Sequence, residues 1–401
     1  MSEEKTRNIV GNIPEPDELY GREELIEHLW RQIQGNNIFL LAPRRFGKSG
    51  VMRHVLQKPR QGYLPISLDL EDVDSPGEFV WRVTNELLSR NKLRSALQSA
   101  RQLPGVLGDW VKGTFDEAGF EGAKVKFKDA VEPNWKQTAK RLLLEMEKVD
   151  ETVIFIFDEL PDMLEKFGDE TAREFLAWFR SVRLQQRDVL RRYRFIVAGS
   201  TGIDLILRRL NAPDKLNDFD RLSVEPIDPQ TASQLVQHLA NSLEIQLNGE
   251  RIEQILALID PPIPYFIHLL FSQLGQLPAT KRQPLTAETL DDVYRQRVLG
   301  PTCKHYFDHY RQRLSRYGPV LQRSARAVLK ALAEAPRTKI STSALYDVYR
   351  KARKQGASEE EFPVPSSTRA ECTRPSTSLS SPLGAYENKL DVPLSPLPLK
   401  Q

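Results

Sequence analysis

The sequence has little sulfur and no long apolar run. Only Cys303 and Cys372 occur among its 401 residues, far apart and with no metal-ligand spacing around either. That excludes a disulfide framework and a cysteine metal centre, and it fits two reduced thiols in a cytoplasm. The six histidines form no cluster, so a zinc site is not expected. No stretch of 18 apolar residues is present, which argues against a membrane span. The opening MSEEKTRNIVGNIPEP has no apolar h-region, which argues against secretion. What remains, with 28% charged and 40% hydrophobic residues, is the composition of a globular protein of two or three domains.

Charge of one sign is scarce in a single place. Residues 294–354 hold 15 lysines and arginines against 3 acids. The whole chain stands at +3, so a segment at +12 leaves the remainder at −9. An acidic body carrying a basic module points to a polyanionic partner for that module.

The first motif is LAPRRFGKSG at 41–50, directly after the apolar run Ile38-Phe39-Leu40. Its use is physical. Gly47 can adopt φ > 0, so that successive N–H groups face one anion. Lys48 offers a point charge to the β- and γ-phosphates, and the Ser49 hydroxyl is a ligand for Mg²⁺. A helix starting there would add its positive end. Ala42, Pro43, Arg44, Arg45, Phe46, Gly47, Lys48, Ser49 and Gly50 are therefore the candidate phosphate-binding residues. Ala42 stands where the usual pattern has its first glycine, and a small residue still suits the turn. The alternative is an ordinary basic turn between strand and helix.

The second motif ends the most apolar strand, Thr152-Val153-Ile154-Phe155-Ile156-Phe157, which is apolar on both faces as a central parallel strand should be. Asp158 follows in the place of the acid that holds Mg²⁺ in phosphate-loop NTPases. Glu159 can orient or deprotonate the attacking water. A plain helix cap is the competing explanation of this pair. A third element, Ala198-Gly199-Ser200-Thr201-Gly202, follows the strand at Arg194–Ala198. Ser200, ahead of Thr201, is placed to sense the γ-phosphate, unless the glycines simply make a turn.

Strands near 37–42, 63–70, 152–157 and 194–198 alternate with helices from Tyr20-Gly21-Arg22-Glu23, Lys48, Ser75, Trp135 and residue 169. Ser75-Pro76-Gly77-Glu78 reads as a capping box with proline at the first helical position. This alternation predicts a three-layer α/β domain on a parallel sheet. Past Pro226 the strands stop. Helices near 229–243, 249–259, 263–275 and 286–298 predict an all-α lid. Arg208, Arg209 and Arg221 are candidates for a trans-acting arginine. Arg180, Arg183, Arg187 and Arg191 form a stripe at helical spacing that reads as a solvated face sooner than as a partner surface.

The order YGREELIEHL, LAPRRFGKS, VIFIFDE and FIVAGST resembles a family of mainly archaeal and bacterial AAA-like ATPases within the STAND class, distant relatives of archaeal replication initiators. The likeness covers about 18–275 and includes Pro264 at the place of a lid proline. It implies a P-loop NTPase fold, ATP with Mg²⁺, and adenine recognition around Tyr20-Gly21-Arg22. It also implies hydrolysis used as a slow switch. The chain departs from the family at Ala42 and at Asp260-Pro261-Pro262, where glycines are usual.

The basic segment predicts an amphipathic helix over Arg323–Ala335 and a second from Ser341 or Ser343 to Lys354. Ser358-Glu359-Glu360-Glu361 announces a third. These resemble the winged helix-turn-helix common at this end of the family, with duplex DNA as the expected ligand. Pro363-Val364-Pro365 interrupts the third helix. The Ser/Pro-rich residues 363–401 then stand where a recognition helix and wing belong, as a frame change in the gene would leave them.

The expected organisation is thus a nucleotide domain at 1–226, a lid at 227–300, a basic module at 301–362 and a disordered tail at 363–401. The expected activity is ATP hydrolysis, with Glu159, Lys48 and Ser200 catalytic, Ser49 and Asp158 on the metal, and Gly21 and Arg22 near the base. Protein partners or self-assembly are compatible with this class. The alternatives are a nucleotide-binding scaffold, or a DNA-binding regulator with little hydrolysis.

Overall fold

The computed structural model describes residues 7–90, 93, 131–146, 149–185, 192–199, 203–308, 314, 318–334 and 341–353. The chain divides into two compact units, Gly11–Glu225 and Pro226–Gln401 with Met1–Val10.

The first unit alternates strand and helix. In chain order it contains α1 (Glu23–Gln32), β1 (Asn37–Leu41), α2 (Lys48–Gln57), β2 (Tyr63–Asp69), α3 (Pro76–Ser89) and α4 (Trp135–Met146). These are followed by β3 (Thr152–Asp158), α5 (Leu160–Phe167), α6 (Asp169–Gln185), β4 (Tyr193–Gly199), α7 (Ile203–Arg209) and β5 (Phe219–Ser223). All five strands run parallel in the order β2-β3-β4-β1-β5. Strand β5 was not expected from the sequence. FDRLS sets only Phe219 and Leu222 among three polar residues on a half-exposed edge, so it lacks the unbroken apolar run that marks β1 and β3.

Period-two alternation divides the sheet into an aromatic and an aliphatic face. Phe39, Phe155, Phe157 and Phe195 share one core with Phe79, Trp135, Phe175 and Phe179 of α3, α4 and α6. Their rings pack edge-on or offset, as at Phe179–Phe195 (5.0 Å) and Phe79–Phe157 (5.5 Å). Between them come Ile38, Leu40, Ile154, Ile156 and Ile196, all buried. Leu29 and Trp30 of α1 and Val51 and Val55 of α2 are buried as well, on helices that contact β1 and β2. Ser75 caps α3 by accepting from Glu78 N, while the Glu78 carboxylate meets Arg82 at 3.2 Å.

The arginine stripe expected on a solvated face turns inward at Arg183. Arg183 is only 4% exposed, so it belongs to no solvated face. It lies over the rings of Phe179 and Phe219 (4.3 and 4.7 Å) and pairs with Asp218, while Arg180 pairs with Asp214. Arg187 and Arg191 lie outside the described residues.

The second unit is helical in its described residues: α8 (Pro229–Ser242), α9 (Gly249–Leu258), α10 (Pro264–Gly275), α11 (Ala279–Arg282) and α12 (Ala287–Asp292), which runs into a π-helical turn at Val293–Val298. Asp228 caps α8 from Gln230 N and Thr231 N, with Pro229 at the first position. The apolar α10 buries Phe266, Ile267, Leu269, Leu270, Phe271 and Leu274. Two further helices, α13 (Gly318–Glu334) and α14 (Thr342–Ala352), pack through Val328, Leu345 and Tyr349. Ser341 caps α14 from Ala344 N. The expected third helix near 358 falls outside the described residues. No described helix is long and apolar enough to cross a membrane.

Candidate nucleotide-binding site

The carboxyl ends of β1, β3 and β4 lie along one edge of the sheet, where ligands of open parallel sheets are held. Leu41 is level with Gly199 across β1–β4, and Phe157 with Val197 across β3–β4. The loop after β1 and the acids after β3 are thus separated by the width of one strand. That strand ends in Ala198-Gly199, the two smallest residues. A Cβ at Gly199 would come within 3.0 Å of Pro161 in the first turn of α5, so glycine also permits that close packing.

Within the loop, Gly47 has φ 95° and is the N-terminal cap residue of α2. Arg45 is also left-handed (φ 75°), unusual for a residue with a side chain. Two such residues flanking Phe46 curl the backbone ahead of the helix, as an anion cradle requires. Ala42 and Phe46 are buried, and Pro43, Arg44, Lys48 and Ser49 are half-buried. Ala42 is not in the left-handed region, which is why a side chain is accepted where the usual loop has glycine. Gly50 sets its α-carbon against Leu19 and Pro14, toward the preceding chain.

Lys48 reaches across the end of β4. Its Nζ lies 3.1 Å from Asp158 Oδ1 and 3.6 Å from Glu159 Oε1, with all three side chains largely enclosed. Glu159 occupies the cap position of α5, but its side chain makes no cap bond. Its backbone is left-handed at φ 53°, ψ 39°, and its N–H is donated to Asp158 Oδ1 at 3.0 Å. Strain of this kind costs on the order of 1 kcal/mol and gathers at sites where a side chain must be aimed.

The Ser49 hydroxyl and the Asp158 carboxylate are hard oxygen donors. Magnesium is held by one or two such groups together with phosphate oxygens, in preference to a closed protein cage. No group of three or more His, Cys, Asp or Glu is gathered among the described residues. The donor set fits the ion.

Gly21 (φ 64°) turns the chain into Arg22, which is 4% exposed. The Arg22 guanidinium donates to Phe46 O (2.9 Å) and to Glu225 O (2.7 Å). Burial pulls its pKa down to about 10, against the opposing pull of Glu23 and Glu225. Sequence patterns cannot reveal this link, because both acceptors are backbone carbonyls. Ser200 and Thr201 lie outside the described residues. Among the arginine candidates, Arg221 pairs with Asp204 at 2.6 Å and Arg209 with Asp169 at 3.5 Å, while Arg208 is exposed.

No family model matches the chain, and no curated protein does. Among solved structures it is similar to a Walker-type ATPase of Pyrococcus abyssi, with 18% identity, 86% of this chain and 93% of that one covered, and a TM-score of 0.53. It is also similar to the ORC2 protein of Aeropyrum pernix (11% identity, 86% and 82% covered, TM-score 0.49). RuvB of Thermotoga maritima gives 13% identity, 84% of each chain and a TM-score of 0.41. The first of these, with the all-parallel sheet and its strand order, defines the fold as the α/β fold of P-loop nucleoside triphosphatases.

Proposed function

We propose that this chain is a slow, magnesium-dependent ATPase in which bound nucleotide sets a conformational switch. One observation carries the reading: Lys48, Asp158 and Glu159 come from two segments far apart in sequence and meet within 3.6 Å at the carboxyl edge of the sheet. A cation for the phosphates, a carboxylate for a metal and a carboxylate for water are the groups that phosphoanhydride hydrolysis needs.

In this reading the amides of the loop around Gly47 receive the phosphates, and Lys48 exchanges its carboxylate contacts for β- and γ-phosphate oxygens. Ser49 and Asp158 hold Mg²⁺, which when bound supplies positive charge against the phosphates. Glu159 accepts a proton from water as the water oxygen bonds to the γ-phosphorus. The bond from that phosphorus to the bridging oxygen breaks, and ADP leaves with the electron pair. Ser200 is the proposed γ-phosphate sensor, and the turn at Tyr20-Gly21-Arg22 is proposed to lie near the base.

The remaining assignments extend the same reading. The nucleotide domain proposed within residues 1–226 is the unit Gly11–Glu225, and 227–300 form a lid. Residues 301–362 form a basic winged-helix-like module, and 363–401 a tail. The chain acts in the cytoplasm as an AAA-like switch of the STAND type. Duplex DNA is the proposed partner of 294–354. Arg323, Arg326 and Lys330 are exposed along α13 at spacings of three and four residues, which supports one basic face suited to phosphates.

The test is phosphate release from Mg-ATP by the wild type, Lys48→Ala and Glu159→Gln. Turnover in the wild type alone, with ATP binding kept by Glu159→Gln and lost in Lys48→Ala, is the expected pattern. Binding without any release would identify a nucleotide-gated scaffold instead. Failure of both would reject the reading.

A further inference from the structure

Arg22 is the most deeply buried charged side chain beside the phosphate loop, and its bonds join two stretches of backbone about 180 residues apart in sequence. One acceptor is Phe46 O, adjacent to Gly47. The other is Glu225 O, on the last residue of the α/β unit. A guanidinium withdrawn from water is costly unless its donors are satisfied, so these two bonds hold the side chain and both carbonyls in one arrangement. The planar fork makes this possible, because its two terminal nitrogens diverge at a fixed angle.

The second acceptor marks the point where the chain leaves the unit. Just before it, Val224 N donates to Leu41 O, which keeps the chain beside β1. Pro226 follows and has no N–H to anchor it. The next amide, Ile227 N, donates to Pro262 O of the helical unit. The carbonyl at 225 therefore belongs to the α/β unit through Arg22, and the amide at 227 to the helical unit through Pro262.

We propose that Arg22 is a positioning residue that couples the phosphate loop to the exit of the α/β unit, so that a shift of the Phe46-Gly47 peptide is passed through its guanidinium to the Glu225 carbonyl and on into the chain entering the helical unit. The coupling rests on the nucleotide reading above for its trigger; the two-carbonyl clip itself does not.

Hydrogen–deuterium exchange of the full chain tests both parts, using the wild type, Arg22→Met and Arg22→Lys, with and without Mg-ATPγS. Without nucleotide, Arg22→Met is expected to speed exchange at 47–51 and at 224–227 together, on the order of tenfold, as loss of hydrogen bonds from a charged donor implies. Arg22→Lys keeps the charge, but one ammonium cannot span both carbonyls, so one of the two segments loosens. With Mg-ATPγS the wild type slows at both segments, and the variants slow only at 47–51. Unchanged exchange at 224–227 in nucleotide-free Arg22→Met would overturn the clip. So would a full nucleotide response at 224–227 in either variant, or a wild-type response confined to 47–51. Should Arg22→Met fail to fold, Arg22→Lys decides instead: exchange unchanged at both 47–51 and 224–227 without nucleotide would overturn the clip. A wild type that responds to ATPγS nowhere sinks the nucleotide reading and the coupling built on it, while the nucleotide-free arm still decides the clip.

Discussion

At the scale of single residues, the loop separates two glycine-related positions that a pattern treats alike. Gly47 has φ 95°, where an added Cβ costs about 1–2 kcal/mol in an L-residue. Gly47→Ala is therefore expected to lower the unfolding free energy by about that much and to weaken ATP binding. Ala42 is outside the left-handed region, so Ala42→Gly should leave nucleotide affinity within about twofold. Its cost, up to about 1 kcal/mol, arises from the freer unfolded chain. Parallel thermal melts and nucleotide titrations of the two variants check the contrast, and equal loss of binding in both would contradict it. Glu159 argues in the opposite direction. Its left-handed backbone makes Glu159→Gly an expected stabilisation of roughly 1 kcal/mol, with phosphate release reduced by about 10² or more. A less stable Glu159→Gly would mean that the backbone there carries no strain. The meeting of Lys48 with Asp158 and Glu159 was legible from type and spacing alone. The tilt of Glu159 and the carbonyl partners of Arg22 were not, because backbone torsions and carbonyl directions leave no mark on side-chain identity.

At the scale of elements, legibility followed apolar content, and even the edge strand β2 was read from Leu64, Ile66 and Leu68. β1, β3 and β4 announce themselves as unbroken apolar runs because both sides of each are covered. β5 lies at the edge, and its Asp220 and Arg221 conceal a parallel strand that nonetheless pairs with β1 along its whole length. The converse error came from α6, where helical spacing grouped Arg183 with surface arginines. Its surroundings, Phe179 one turn before and Phe219 on β5, are visible only once the chain has folded. The Arg183–Asp218 pair has a measurable signature. Burial pushes the Asp218 carboxyl up, but the hydrogen bonds and charge of Arg183 outweigh that and hold it below the ordinary aspartate value. A depressed carboxylate stabilises the fold above the unfolded-state value, about 3.9, and this contribution fades as pH falls through the lower folded-state value. Asp218→Asn should thus cost roughly 3 kcal/mol at neutral pH, since it strands a buried guanidinium. It should also flatten the fall in stability below about pH 4. Urea melts of both proteins between pH 7 and pH 2.5 test this, and parallel curves for the two would show that Asp218 is not the group titrating.

At the scale of the whole molecule, the uneven charge is the feature that the fold alone does not use. The α/β unit and the helices over 229–298 bury their own apolar faces, and among the described residues α13 and α14 pack through Val328, Leu345 and Tyr349 with Leu321, Leu332, Tyr346 and Val348 partly buried around them. Exposed Arg323, Arg326 and Lys330 on α13 would favour an anion at this face. If duplex DNA is that anion, binding must release counterions. The logarithm of the association constant then falls against the logarithm of salt concentration with a slope near −0.9 for each phosphate contacted. Arg323→Glu and Arg326→Glu together are expected to make that slope shallower by about 2 if each arginine meets one phosphate, with little dependence on DNA sequence. Both residues are exposed on α13, so the double variant should melt within about 0.5 kcal/mol per site of the wild type. Its ATP turnover without DNA should be unchanged, and any stimulation by DNA should disappear. Fluorescence anisotropy on a labelled duplex at several salt concentrations, alongside phosphate release, separates the cases. An unchanged slope would remove DNA from this face of α13, and lost stimulation with unaltered DNA affinity would move the basic helices from holding the duplex to signalling that it is held.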